Sequence, residues 1–297
     1  MPHVLTLIAQ PGALAPAHLN AARAALTALG ADCDAAEWLA EAEAADLPFR
    51  ALAAEQAIAA VRGALGEAPL DLIAQPVAGR RKKLLLADMD STIVTTETLD
   101  EIAAFAGLKE KIAEITARSM NGELDFKQAL TERVGMLKGL DASALEETWK
   151  ATELMPGARE LVATMRAHGA HTALVSGGFT FFTGRVAELV GFHEHHANTL
   201  LLEDGKLTGA VGQPILDRDA KLAALKRLAA AQGLALTEAA TVGDGANDLA
   251  MIQAAGLGVA YRAKPSVAAA ARHRIQHGDL RGLLFAQGYK ASEFVGA

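Results

Sequence analysis

Short uncharged apolar runs alternate with amphipathic stretches over the second part of the chain. Runs at 84–87, 172–175, 239–242 and 257–260 are each four residues long and bounded by polar or glycine-rich sequence, the pattern of strands buried on both faces of a parallel sheet. Helical patterns lie between them. One covers 157–168, after Pro156 and before Gly169, and another covers 219–231, stopping before Gly233, with the residue types expected at helix boundaries. This alternation predicts a doubly wound, mostly parallel α/β sheet. A hairpin is the antiparallel exception, because 200–203 and 206–208 flank Asp204-Gly205, a dipeptide suited to a tight turn.

Two regions depart from that rhythm. Residues 1–80 read as strand 4–9, helix 15–29, a weak stretch to Arg50, helix 52–65 and strand 70–75. With two poorly marked strands in the middle this is a small α+β unit that resembles the ferredoxin-like or ACT-type arrangement. Its doubtful part is 35–45, where Ala and Glu favour helix over strand. Residues 97–153 are helical by pattern, with starts near Thr98, Asp125 and Asp141. An insertion directly after the first strand reads as a helical cap over the carboxyl edge of the sheet. The expected division is therefore 1–80 and 83–297. Between them Gly79-Arg80-Arg81-Lys82-Lys83 reads as a solvated linker.

Composition narrows the function classes. The 297 residues carry a formal charge of −7 with 4% aromatics, which argues against a nucleic-acid surface of clustered Lys and Arg. Trp38 and Trp149 lack the basic surroundings of a base-stacking platform. The single cysteine, Cys33, cannot form an intrachain disulfide, and a reducing, cytoplasmic setting is expected. Neither a secretory leader nor an apolar run of membrane-spanning length is evident. His193, His195 and His196 lack a supporting ligand pattern and are read as part of a solvated loop before the hairpin.

Chemistry gathers at the strand ends. Asp88-Met89-Asp90-Ser91-Thr92 follows the run 84–87, Ser176-Gly177-Gly178 follows 172–175, Lys221 opens a helix, and Gly243-Asp244-Gly245-Ala246-Asn247-Asp248 follows 239–242. All four fall on the edge where open α/β sheets bind ligands. Asp88 and Asp90, two residues apart, should have pKa values pushed apart by mutual repulsion, which suits one to be a nucleophile and the other an acid. Ser176 and the flexible Gly177 and Gly178 can cradle phosphate oxygens, with Lys221 as a point charge. Asp88, Asp90, Asp244 and Asp248 facing a phosphate with one lysine require a divalent cation, and the oxygen ligands favour Mg²⁺.

These motifs, in this order and spacing over about 83–288, resemble the haloacid dehalogenase superfamily of phosphatases. With Glu97, Arg133 and the loop 260–265, the chain looks like the phosphoserine phosphatases within it, whose bacterial forms often carry an N-terminal ACT-like domain. The resemblance implies that Asp88 attacks phosphorus to give an aspartyl-phosphate, with Asp90 as acid and then base. It implies Mg²⁺ held by Asp88, the Asp90 carbonyl and Asp244, with Asp248 close by in a second layer and Asn247 beside the substrate. Ser176, Gly177 and Lys221 would bind phosphate, with Gly178 at the substrate. Glu97 and Arg133 have the charges to meet the ammonium and carboxylate of phosphoserine, while Met120 and Phe126 would shield the site. The expected reaction is hydrolysis of phosphoserine to serine, the last step of serine biosynthesis. Another small ester, such as phosphohomoserine or a sugar phosphate, and phosphoryl transfer to an alcohol remain alternatives, as does an amino-acid-binding regulatory protein. The expected partner is a small phosphate ester, with no nucleic acid and no membrane; oligomeric state is left open, a homodimer included.

Overall fold

A computed structural model describes residues 2–296. The chain begins β1 (His3–Ile8), α1 (Pro16–Ala28), β2 (Asp32–Cys33), β3 (Glu37–Ala40), β4 (Ala44–Arg50), α2 (Ala54–Leu65) and β5 (Asp71–Pro76). β1 pairs antiparallel with both β4 and β5, giving the strand order β2-β4-β1-β5 with β3 also on β4. This is the ferredoxin-like arrangement expected. The middle region is strand, against its Ala and Glu content. Most of β4 is buried, so tertiary burial outweighs a weak local preference.

The second part continues with β6 (Leu84–Ala87), α3 (Thr98–Ala104), α4 (Lys109–Met120), α5 (Phe126–Gly135), α6 (Ser143–Ala151), α7 (Ala158–Ala167), β7 (His171–Phe179) and α8 (Thr180–Val190). After these come β8 (Glu194–Asn198), β9 (Leu200–Glu203), β10 (Lys206–Val211), α9 (Arg218–Ala231), β11 (Ala239–Gly243), α10 (Leu249–Ala254), β12 (Leu257–Tyr261), α11 (Pro265–Ala270), β13 (His273–Ile275) and α12 (Gly282–Ala286). The sheet order is β13-β12-β11-β6-β7-β8, parallel at every pairing. Alternation along β6 shows why its four residues are all apolar. Leu85 and Ala87 join the core on one face with Leu161 and Phe182, while Leu84 and Leu86 join that on the other with Leu225 and Leu228.

Helix α4 is a fourth helix in the inserted region, set off from α3 by Gly107 in a left-handed conformation. The predicted hairpin forms between β9 and β10, with positive φ at both Asp204 and Gly205. The histidine-rich segment is not a loop. Glu194, His195 and His196 lie in edge strand β8, where the Glu194 carboxylate is held by His171 Nε2 at 2.6 Å and His196 Nε2 at 2.7 Å.

The basic run is not simply a solvated linker either. Arg80 is bound to Asp46 at 2.6 Å and donates to the Phe285 carbonyl at 3.1 Å, while Lys82 is buried with Nζ on the carbonyls of Gly79 and Thr237. Arg81 and Lys83 remain more open and pair with Glu293 and Glu238. The N-terminal sheet faces the larger sheet through further polar contacts. Asp71 accepts the backbone N–H groups of Gln276, His277 and Gly278, and Gln75 donates to the Ala286 carbonyl. These bonds satisfy main-chain groups that burial would otherwise strand.

One buried titratable group in this region gives a pH prediction. Burial, then the charge of Arg272, pushes the pKa of His273 down to about 4. The unfolded chain, titrating near 6.5, therefore takes up this proton first. Stability from His273 is complete above about pH 6.5 and is lost as pH falls towards 4, by about 3 kcal/mol across that window. Urea midpoints of His273→Gln should fall less steeply than those of the parent between pH 7 and 5. Identical slopes would remove His273 from the acid response.

Candidate active site

Strand β6 delivers Asp88 to the middle of the carboxyl edge, where its N–H continues the ladder to the Val242 carbonyl at 3.0 Å. The chain then turns sharply. The N–H groups of Thr92, Ile93 and Val94 converge on the Met89 carbonyl, and Ser91 takes a positive φ of 54°. This turn brings Asp90 back beside the sheet edge. Its carboxylate accepts the Thr98 N–H, at the start of α3, at 2.8 Å and the Ser176 hydroxyl at 3.2 Å.

The other strand ends meet this turn. After Ser176, Gly178 donates its N–H to Ser176 Oγ at 2.8 Å. A Cβ on Gly178 would lie 2.7 Å from Asp90 Oδ2, and one on Gly177 would lie 2.6 Å from the Phe126 ring; both positions therefore need glycine for close approach. Asp217 caps α9 through the N–H groups of Asp219 and Ala220. One turn on, Lys221 is fully buried and its Nζ bridges Asp88 Oδ1 at 2.7 Å and Asp248 Oδ1 at 2.5 Å. Beyond β11, Asp248 also accepts the Gly245 N–H at 3.0 Å, and Thr92 donates to Asp244 at 3.3 Å.

Charge is crowded here. Burial, then Asp248, drives the Asp88 pKa well above the ordinary carboxylate range, with Lys221 only partly opposing. Burial raises Asp90, and burial with Asp248 lifts Asp244 to about 7. Lys221 responds oppositely, since Asp248 and Asp88 outweigh the cost of its burial and hold it protonated. Oxygen atoms of Asp88, Asp244 and Asp248 lie within 4.8 Å of one another, and all three residues are buried. Asn247 Oδ1 is buried without a partner. Such a hard-oxygen donor set, short of positive charge, fits a divalent cation of the Mg²⁺ type.

The inserted helices close over this edge. Met120 offers its carbonyl to the Ala246 N–H at 3.0 Å, Phe126 sits on Gly177, and Lys127 pairs with Asp217 at 2.8 Å. Glu97 receives the Ser91 hydroxyl at 2.7 Å, and burial with the neighbouring Asp90 and Asp244 lifts its pKa to about 8. Arg133 is 3% exposed, with Nε on the Ala129 carbonyl and Nη1 on Thr116 Oγ1. The partly open cavity beneath these helices measures about 30 Å³, room for about one water. It is bordered by Asp88, Asp90, Glu97, Met120, Phe126, Arg133, Ser176, Gly177, Gly178, Asp244 and Asn247. Lys221 and Asp248 stand behind the carboxylates.

Thr98, Leu99, Leu130 and Phe179 also line the cavity and were not anticipated. A main-chain donor such as Thr98 N carries no side-chain signature, and the apolar three resemble any core residue. The Phe126 contact has a testable consequence. Gly177→Ala should push the ring aside and lower kcat/KM by about tenfold, and Phe126→Ala in the same chain should recover part of the loss. Steady-state kinetics on the single and double variants decide; equal rates for Gly177→Ala and the parent would show that the contact is slack.

The sequence profile of the haloacid dehalogenase-like hydrolases matches residues 85–253. A phosphoserine phosphatase of Streptomyces coelicolor is 42% identical over 241 residues, which are 81% of this chain and 58% of the relative. The chain thus spans under two thirds of that protein. Among solved structures, a haloacid dehalogenase family hydrolase of Salmonella enterica serovar Typhi superimposes with a TM-score of 0.81 at 30% identity, covering 96% of this chain and 98% of the other. A phosphoserine phosphatase solved as a phospho-aspartyl intermediate analogue gives 0.66 at 41% identity, covering 69% and 98%. With the matched profile spanning more than half of its length and the motif residues gathered at one sheet edge, the chain belongs to the haloacid dehalogenase-like hydrolase family.

Proposed function

We propose that this chain is a Mg²⁺-dependent phosphoserine phosphatase working through an aspartyl-phosphate. One observation carries the reading: Asp88 and Asp90 share a cavity with Ser176 on the sheet side and with a carboxyl group, Glu97, and a guanidinium, Arg133, on the helical side. The relatives named phosphoserine phosphatase support the same substrate. The helices over about 97–153 act as a cap in this reading, and residues 1–80 as an ACT-like domain.

Asp88 attacks phosphorus in line while the bond to the seryl oxygen breaks, and Asp90 gives that oxygen its proton. Burial raises the Asp90 pKa above its ordinary value, the direction that suits an acid in this step. Water then attacks the aspartyl-phosphate, losing a proton to Asp90 and releasing phosphate. Ser176 Oγ, the Gly177 N–H and Lys221 Nζ hold the phosphoryl oxygens. Mg²⁺ would be held by Asp88, Asp244 and the Asp90 carbonyl, with Asp248 and Asn247 adjoining. Its charge offsets that of the carboxylates and phosphate. Glu97 meets the substrate ammonium, which favours ionisation of the glutamate as the ligand enters, and Arg133 grips the carboxylate.

Phosphate release should be fastest from phosphoserine in a panel including phosphohomoserine and sugar phosphates, and should disappear when EDTA replaces Mg²⁺. Faster turnover of a sugar phosphate would overturn the substrate, and full activity in EDTA the cofactor.

A further inference from the structure

Arg133 reaches the cavity from α5, and a free arginine side chain has many rotamers to lose. Here it is fixed at two points. Nε donates to the Ala129 carbonyl one turn back at 3.1 Å, and Nη1 donates to Thr116 Oγ1 on α4 at 2.8 Å. The Thr116 hydroxyl in turn contacts Asp100 Oδ1 on α3 at 2.6 Å and the Ile112 carbonyl at 3.0 Å. Accepting from Arg133, it has one proton to give, and the shorter contact directs that proton to Asp100. All three side chains are buried, Asp100 at 7%, Thr116 at 4% and Arg133 at 3% exposure.

We infer that Thr116 and Asp100 form a positioning relay that aims Arg133, and that this relay sets selectivity for substrates bearing a carboxylate beside the phosphate ester. The inference rests on the proposed reaction and assigns it two residues that do not line the cavity. The indirect arrangement has a physical purpose. A carboxylate paired directly with Arg133 in a fork would occupy two guanidinium donors and compete with an incoming carboxylate. Placed one hydroxyl away, Asp100 balances the buried positive charge while only one donor is spent on the relay. Of the five guanidinium N–H groups, Nε and one on Nη1 are committed and three remain. The relay also ties α3, which begins beside Glu97, to α4 and α5, so the groups proposed for the ammonium and the carboxylate keep a fixed spacing.

The test uses Thr116→Val, which keeps shape and removes the hydroxyl, Thr116→Ser, which restores it, and Asp100→Ala alone and with Thr116→Val. Kinetics are read on phosphoserine and on phosphoethanolamine, which keeps the ammonium and lacks the carboxylate. Thr116→Val should raise KM for phosphoserine by about tenfold with kcat within about twofold, leave phosphoethanolamine kinetics unchanged, and be rescued by Thr116→Ser. The double variant should lose no more than the worse single one, as expected for two members of one relay. Equal losses on both substrates, or additive losses in the double variant, would assign the pair a merely structural role and overturn the inference. If the parent shows no preference for phosphoserine over phosphoethanolamine, the proposed substrate fails first and the relay's role in selectivity falls with it. Should Thr116→Val not fold, Asp100→Ala and Thr116→Ser carry the same comparison: unchanged KM for phosphoserine in Asp100→Ala overturns the relay.

Discussion

Asp88→Asn is expected to abolish phosphate release, by about four orders of magnitude or more, because an amide oxygen cannot replace the attacking carboxylate. The fold should survive. Asp88 sits among Asp244 and Asp248, burial and then Asp248 oppose its ionisation, and the substitution removes one member of a repelling set. It also takes one carboxylate from Lys221 while leaving Asp248 at 2.5 Å, so the lysine remains paired. Thermal unfolding in EDTA should therefore be close to that of the parent, while turnover is lost at every Mg²⁺ concentration. Residual turnover within tenfold of the parent would remove Asp88 as nucleophile. Loss of folding together with activity would show instead that its pairing with Lys221 is needed structurally.

Lys221→Met should give the opposite pattern, with stability and activity failing together. The lysine is 1% exposed and bridges two buried carboxylates, and removal of one partner from a buried ion pair costs about 3–5 kcal/mol. Metal-free protein should feel this most. The pH dependence has a definite sign: Asp244, lifted from 3.8 to about 7, holds a proton in the folded state that the unfolded chain has already lost. Its contribution is thus present below about pH 4 and is lost as pH rises towards 7. Lys221 lowers the Asp244 pKa, so without it the fall should extend to higher pH. Urea titrations in EDTA at several pH values measure it, and adding Asp248→Asn should restore part of the loss. A Lys221→Met protein as stable as the parent would show that the carboxylates are held protonated and need no cation.

The parts of the molecule that were legible in the sequence have local physical signatures. Leu84–Ala87 is apolar throughout because both faces of β6 are covered, and the Asp-Gly turn announces its own hairpin. The site was legible because its residues lie at strand ends, where the fold sends side chains to one edge. Strand β8 lacks an apolar strand signature because Glu194 is held by His171 and His196 and His195 meets Thr183 on α8, polar contacts that stand where burial of apolar side chains would. The strands between residues 32 and 50 are weakly marked because pairing supplies the order that their composition does not, β4 on β1 and both β2 and β3 on β4. Arg80 and Lys82 resemble linker charges in the sequence, since the Asp46 carboxylate and the Phe285 and Thr237 carbonyls that they meet are brought close only by folding.

By itself the sequence determined the doubly wound sheet, the insertion after its first strand and the polar residues gathered at the carboxyl edge, because strand periodicity and short-range motifs need no knowledge of distant contacts. Tertiary structure decided what each charge faces. It set Lys221 between Asp88 and Asp248, Asp90 against the Thr98 N–H, and Arg133 on a hydroxyl backed by Asp100. The Asp88–Asp90 pair named in the sequence thus acquires different partners for its two members. Hydrogen bonds and desolvation depend on atoms within a few ångströms, and folding alone brings those atoms together.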